Sequence, residues 1–392
     1  MNLQSLESRY YVLEGMKDRN YNNEFLNELV NRFAEDMKWG RYITSMSWTI
    51  APKINGAIRY GKDEEQLDTF RAMLGEQEDR EYQPRRKSKN DPKPPVEIHS
   101  LQKTMARVAE NIKSRQDSEV RKFVAELEKE IVEKNLDKNS VLFVDGTKVL
   151  TKGTVTGLVA NKLASKYFRP VVLLRSKDAT EYGGSCRGYD KGNISSIKDF
   201  LTEAGMEVKG HDNAGGVFLR KDALESVIKK CNEMLPVDKL CTIHTVDWEI
   251  PANKLKREYV QEVAENYAVF GSTVPEPLFA ISDLRINASK INGYGENNNF
   301  IRFVHNGIVY VKKYCSASDF DTMTMKDRSV LGVNKKNLKL NIIGQFVLNS
   351  WEDKINPEVK ILYFDVCEDT DVVEEEDTKP KKKSVVDDDF DW

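Results

Sequence analysis

Between Glu97 and Asn135 the chain carries one unbroken helical pattern, and no other stretch restricts the fold as much. Ile98, Leu101, Met105, Val108 and Ile112, then Val120, Phe123, Val124, Leu127 and Ile131, keep an apolar stripe at spacings of three and four, the signature of a helix with one buried face. No glycine or proline interrupts it. A helix of nearly forty residues reaches about 60 Å, more than one small domain needs. The pattern therefore predicts a connecting rod between two modules, within residues 97–138.

What lies on either side fits that expectation. Leu26, Leu29, Val30 and Phe33, and later Leu67, Phe70 and Leu74, recur at helical spacing, so residues 1–79 are expected to be mostly helical. Pro52, Gly56 and Gly61 mark the intervening stretch 48–61 as a loop, and its Lys53, Asn55 and Arg59 form a candidate set for phosphate contact. Residues 80–96 contain six Arg or Lys and four prolines, a composition that buries no core and reads as a basic linker. After the rod, apolar runs at 140–144, 170–174 and 215–219 read as strands, and stretches at 154–167, 194–204 and 222–235 as helices. Together they predict an α/β domain over 139–236.

From 237 to 367 the pattern changes to five strand-like runs, at 280–288, 299–305, 308–314, 338–348 and 359–366. His305-Asn306-Gly307-Ile308 signals a tight hairpin, because Asn-Gly supplies the positive dihedrals that such a turn needs. Five strands in this length suit a small OB-type barrel, a common reader of single-stranded nucleic acid. Phe300, Arg302, Phe303, Tyr310, Lys312, Lys313 and Tyr314 cluster on its central hairpin. Arg302, Tyr310 and Lys312 are taken as candidate contacts, with barrel core as the competing role for each aromatic.

The chemistry-bearing stretch is 183–216. Ser185 and Arg187 lie in a glycine-flanked run, GGSCRGYD, and His211 lies in a second, KGHDNAGG. A hydroxyl, a planar guanidinium and backbone amides freed by Gly184 and Gly210 are suited to an anionic oxygen. The competing reading is two ordinary turns joining strands to helices. The five cysteines are scattered with no CxxC pair, which supports neither a disulfide framework nor a structural zinc site. The 392 residues contain no apolar run of membrane-spanning length and no signal peptide ahead of the first helix, so a cytoplasmic protein is expected. The net charge of −3 is uneven: residues 368–392 carry eleven Asp or Glu against four Lys. A mildly basic body with an acidic, disordered tail suits a nucleic-acid binder.

Several motifs in order resemble the RecJ family of single-strand-specific DNA exonucleases, in the DHH phosphoesterase superfamily. Ile50 to Arg59 is similar to the family's I-x-P-x-L-N-A-x-x-R run. Asn111, Arg115 and Gln116 are similar to N-x-x-x-R-Q. Gly157 to Ala160, with Arg169-Pro170, resembles the start of the DHH-associated domain. Gly184 to Arg187 matches G-S-x-R, and Gly210 to Gly216 matches G-G-H-x-x-A-x-G except that Lys209 stands for the first glycine. Phe270-Gly271 and Pro275-Glu276-Pro277 resemble the F-G…N-P-x-P run ahead of the OB domain.

The resemblance covers only the family's C-terminal two-thirds. Its metal-binding catalytic domain, with the DHH triplet, has no counterpart in the first 140 residues, where His99 is the sole histidine. Glu7 and Arg9 match an element just after that domain, so the chain is expected to begin partway through the architecture.

The resemblance therefore implies an α/β-plus-β chain with a helical N-terminal segment, a DHH-associated domain and an OB-fold-like barrel. It would bind single-stranded DNA and its terminal phosphate as part of a 5′→3′ exonuclease. Ser185, Arg187 and Arg59 would grip the phosphate, and His211 would face the metal centre. No cofactor is expected on this chain alone, which is expected to be inactive; Mn2+ or Mg2+ is implied for the complete enzyme. The catalytic half would sit on a separate DHH-domain subunit. One alternative is a non-catalytic single-stranded-DNA-binding adaptor, whose tail tip Asp387-Asp388-Asp389-Phe390-Asp391-Trp392 recruits a repair or replication protein. Another is the fragment of an interrupted exonuclease gene.

Overall fold

The computed structural model describes residues 5–17, 21–34, 46–86, 88–150, 153–267, 270, 274–295, 298–313, 315, 317–326, 336–351 and 354–369. Gly271, Tyr314 and the tail beyond Asp369 lie outside them. Two compact units are present, one within Tyr11–His244, the other drawn from Met1–Tyr10 and Thr245–Trp392.

Helix α1 (Leu6–Lys17) is followed by α2 (Glu24–Arg32), where Asn23 accepts from the Leu26 amide at 3.0 Å and caps the first turn. Stretch 48–61 is not the expected loop. A π-turn over Met46–Ile50 leads into α3 (Ala51–Tyr60). Pro52 sits in the first turn, where its missing N–H costs nothing, and Gly61 ends the helix. Helix α4 (Asp63–Met73) forms as expected, yet Leu67, Phe70 and Leu74 are 60%, 59% and 65% exposed. Small residues, Thr69 and Ala72, face inward instead.

The basic stretch is also more ordered than its composition suggests. Strands β1 (Asp79–Tyr82) and β2 (Glu97–Ser100) pair antiparallel and tie both its ends together. This shortens the rod: Ser100 caps α5 (Leu101–Glu133) by accepting from the Lys103 amide, so the helix has 33 residues and spans about 50 Å. The rod joins two cores. Leu101, Met105 and Ala106 pack with Phe25, Leu29, Ile50 and Ala72, whereas Val120, Phe123, Leu127 and Ile131 pack under the α/β sheet.

That sheet contains β3 (Leu142–Asp145), β4 (Val171–Ser176), β5 (Glu181–Arg187), β6 (Glu207–His211) and β7 (Ala214–Arg220) in the order β3-β4-β5-β7-β6. β3 and β4 are parallel through α6 (Thr156–Tyr167), and the rest are antiparallel. Alternation along β4 divides its side chains between two cores. Val171 and Leu173 join α5 and α6 on one face, while Val172 and Leu174 join α7 (Ile197–Ala204) and α8 (Leu224–Met234) on the other. The run GGSCRGYD, expected as a loop, therefore lies mostly in a central strand.

The second unit holds β8 (Trp248–Pro251), α9 (Arg257–Glu265), β9 (Phe279–Asn287), β10 (Asn292–Tyr294), β11 (Phe300–His305), β12 (Ile308–Lys313), α10 (Ala317–Met323), β13 (Asn337–Trp351) and β14 (Lys354–Glu368). All seven strands form one sheet, β10-β11-β12-β14-β13-β9-β8. Asn306 and Gly307, at φ of 49° and 73°, make the tight hairpin expected from their sequence. Bulges in β13 interrupt its pairing with β9 and β14. The expected barrel does not close among the described residues, because edge strands β8 and β10 do not pair with each other. No helix among the described residues is long and apolar enough to cross a membrane.

Candidate phosphate and nucleic-acid interface

Small residues bring β4, β5 and β7 together and leave one face open beside α6. A Cβ on Gly184 would lie 2.1 Å from the Leu173 carbonyl oxygen, so only glycine permits this strand spacing. Cross-strand register puts Ser185 opposite Leu173 and Gly216, and Arg187 opposite Val171 and Ala214. Since residues two apart share a face, Ser185, Arg187, Ala214 and Gly216 all lie on the α6 side. The face beyond α6 thus offers little but a hydroxyl and a guanidinium.

The guanidinium lies at the start of α6. A Cβ on Gly157 would stand 2.3 Å from Arg187 Nη2, so the head group rests against the helix's first turn. Its Nη1 donates to the Cys186 carbonyl at 2.6 Å. The N-cap of α6, Val155, provides no side-chain acceptor, and a 3-10 turn over Gly153–Val155 leads directly into the helix. A cation there opposes the helix dipole, and a bound anion beside the guanidinium would relieve that opposition. Ser185 Oγ has no hydrogen-bond partner among the described residues.

Arg175, which the sequence reading missed, approaches the same helix end. Its Nη1 would meet a Cβ on Gly153 at 2.8 Å, and it shares its strand face with Val171 and Leu173. The available signal was a charged residue at the carboxyl end of an apolar parallel strand, where α/β sheets place ligands. Between Ser185 and Arg187, Cys186 points into the opposite core, where burial pushes its thiol pKa up. It is a packing residue.

His211 ends β6 opposite Ala214, which is itself opposite Arg187. Histidine and arginine backbones therefore share a row about 10 Å apart, two strand spacings, with the imidazole exposed. Gly210 is needed next to it: its φ is +151°, and a Cβ would lie 2.4 Å from the Ala214 carbonyl oxygen. Lys209, the departure from the family's motif, is an ordinary strand residue opposite Gly216 and pairs with Glu207 at 2.7 Å.

Asn55 and Arg59 stand one turn apart on α3, both exposed, and not on a loop. No contact among the described residues links them to Ser185 or Arg187. Lys53 is turned inward, donating to the Thr49 carbonyl at 2.8 Å. Arg115 of α5 pairs with Glu65, its Nη2 donating to both carboxylate oxygens at 2.7 and 3.0 Å. Neighbouring Tyr60 donates to Glu119 at 2.5 Å, and burial with this bond raises its pKa to about 12.

The hairpin cluster of the second unit separates by face. Phe303 and Tyr310 stack in the core with ring centroids 5.0 Å apart, and Tyr310 is fully buried, which raises its pKa. Tyr310 is therefore corrected from contact to core. Lys312 lies opposite buried Ile301 and so follows the core side, whereas Arg302 faces the other way and is exposed. Register adds a residue that the sequence reading missed: Tyr294 is opposite Phe300, which is opposite Lys313. Tyr294, Phe300, Lys313 and Arg302 make the aromatic and basic face.

Residues 246–363 match the RecJ OB domain model. Over 369 residues the chain is 32% identical to the provisionally named SPbeta prophage-derived single-strand DNA-specific exonuclease YorK of Bacillus subtilis, covering 92% of this chain and 61% of that relative. The chain belongs to the RecJ family. It thus spans less than two-thirds of that relative's length. The single-stranded-DNA-specific exonuclease RecJ of Bacillus subtilis is 21% identical over 273 residues, which are 62% of this chain and 30% of that RecJ. A crystal structure of RecJ in complex with Mn2+ from Thermus thermophilus shares the fold, with a TM-score of 0.57 at 14% identity over 88% of this chain and 44% of that one.

Proposed function

We propose that this chain is the DNA-binding part of a RecJ-like 5′→3′ exonuclease and holds the terminal phosphate of single-stranded DNA. The observation that carries the reading is Arg187 against the first turn of α6, with Ser185 on the same strand face. A terminal phosphate carries more charge than an internal one, and a guanidinium fork with helix amides is suited to its several oxygens. In the other unit, the Tyr294, Phe300, Arg302 and Lys313 face of the OB domain would offer a separate surface for single-stranded DNA, where rings stack bases and cations meet phosphates.

Mn2+ or Mg2+ would be required for hydrolysis in the complete enzyme. Among the described residues, no three His, Cys, Asp or Glu side chains are grouped to hold such an ion. A separate DHH-domain subunit would bring the ion. His211, exposed at the sheet end, would face that subunit. The test is reconstitution: the chain, a DHH-domain polypeptide and Mn2+ are mixed with 5′-phosphorylated single strands. Stepwise degradation that neither protein gives alone is expected. An inert mixture in which no complex forms would contradict the split-enzyme reading.

A further inference from the structure

Phe168 stands where a helix normally ends in glycine. It caps α6 with φ of 53° and ψ of 38°, the left-handed conformation that costs a bulky residue on the order of 1–2 kcal/mol. Burial does not compensate, since the side chain is 59% exposed. Its ring instead meets Tyr189 edge to face, with centroids 5.9 Å apart, so a half-buried tyrosine holds an exposed phenylalanine in place. A strained backbone position that presents an exposed, buttressed ring suggests a binding role.

Its place in the fold suggests the ligand. Phe168 is three residues before Val171, the strand partner of Arg187, and Tyr189 is two residues after Arg187. The Gly188 amide donates to the Asn213 carbonyl at 2.9 Å, which ties this segment to the turn beside His211. From Gly157, where the Arg187 head group rests, to Phe168 is eleven residues of helix, about 16 Å. A single strand anchored by its terminal phosphate at Arg187 would carry a base over this ring within its first few nucleotides.

We propose that Phe168, buttressed by Tyr189, is a stacking platform for a base close to the 5′ end of the bound strand. The ligand class is any nucleobase, because stacking needs only a π-face and tolerates sequence. The proposal rests on the phosphate reading for its direction, but its test separates the two.

The test measures binding of 5′-phosphorylated oligonucleotides with one abasic site moved stepwise from the 5′ end. The wild type is expected to lose about 5- to 100-fold in affinity when the abasic site falls at one particular position. Phe168→Gly should bind the intact strand weaker by a similar factor and be indifferent to the abasic site there. Phe168→Trp should retain the wild-type profile. Because glycine suits the left-handed position, Phe168→Gly should melt at or above the wild-type temperature, so its loss of binding would not be a loss of fold. A Phe168→Gly protein with wild-type affinity and abasic profile overturns the proposal, even if Arg187→Ala weakens binding. If Arg187→Ala and removal of the 5′-phosphate change nothing while Phe168→Gly still abolishes the abasic effect, the platform stands and the phosphate reading falls.

Discussion

Arg187 reaches its position because its neighbours carry almost no side chain. Gly157, Ala214 and Gly216 clear the face on which it lies, and Gly184 lets β4 approach β5. Gly184→Ala should therefore destabilise the protein by ~3 kcal/mol, since the added carbon meets backbone that cannot move aside; urea denaturation would measure it. The same geometry predicts thiol reactivity. Cys186 is buried with a raised pKa, and burial pushes Cys231 up to about 12, whereas Cys241 is exposed. A thiol reagent at neutral pH should modify Cys241 in the native protein and reach Cys186 and Cys231 only on unfolding. The residue types of the proposed phosphate site were read from the sequence: a serine and an arginine among glycines point to an anion. Their setting was not. Glycine signals both a flexible turn and a close strand approach, and only the Gly184 contact with Leu173 decides between them. Arg175 carried no motif at all, and Tyr310 looked like a contact because a strand's composition does not say which of its faces is inward.

At the scale of elements, the long helix was readable because its burial is one-sided and periodic, from Leu101 to Ile131. Its start was not, because Glu97–Ser100 pairs with Asp79–Tyr82, a partner that local pattern cannot reveal. Strand β5 was hidden for a related reason: among Gly183, Gly184, Ser185, Cys186 and Arg187, only Cys186 enters a core. Helix α4 was found, but its Leu67, Phe70 and Leu74 stripe faces outward and Arg71 instead joins Asp68, Glu76 and Glu78. Besides the packing of Ala72 against Leu101 and Met105, the Glu65–Arg115 ion pair ties α4 to α5, and its pH dependence follows. Burial alone would raise the pKa of Glu65, but the Arg115 pair and the Lys62 amide hold it below the usual carboxylate range. A carboxylate depressed in the fold stabilises above its unfolded pKa, and that contribution fades as pH falls through the folded value. Glu65→Gln should thus cost under about 1 kcal/mol at pH 7, Arg115 being half exposed, and its difference from wild type should be smaller at about pH 3. Urea midpoints at the two pH values would check this. An undiminished difference in acid would show that Glu65 acts through packing.

At the scale of the whole molecule, the two surfaces proposed to bind nucleic acid lie in different units, one proposed for a terminal phosphate and one for bases and backbone. Family membership was legible from the order of six weak motifs, each of which alone would be an ordinary turn or helix. The onset of the strand-rich region was legible from the change between helical and alternating patterns, but the pairing β10-β11-β12-β14-β13-β9-β8 depends on contacts far apart in sequence. Arg187, at the N-terminus of α6, is proposed to recognise the phosphate end of a single strand. Its most direct test compares the affinity of wild type and Arg187→Ala for one oligonucleotide with a 5′-phosphate or a 5′-hydroxyl. The wild type should prefer the phosphorylated strand by about 10- to 100-fold, the worth of one charge-assisted contact, and Arg187→Ala should bind both alike. A wild-type protein that does not distinguish the two ends, or a variant that keeps the full preference, would contradict the account.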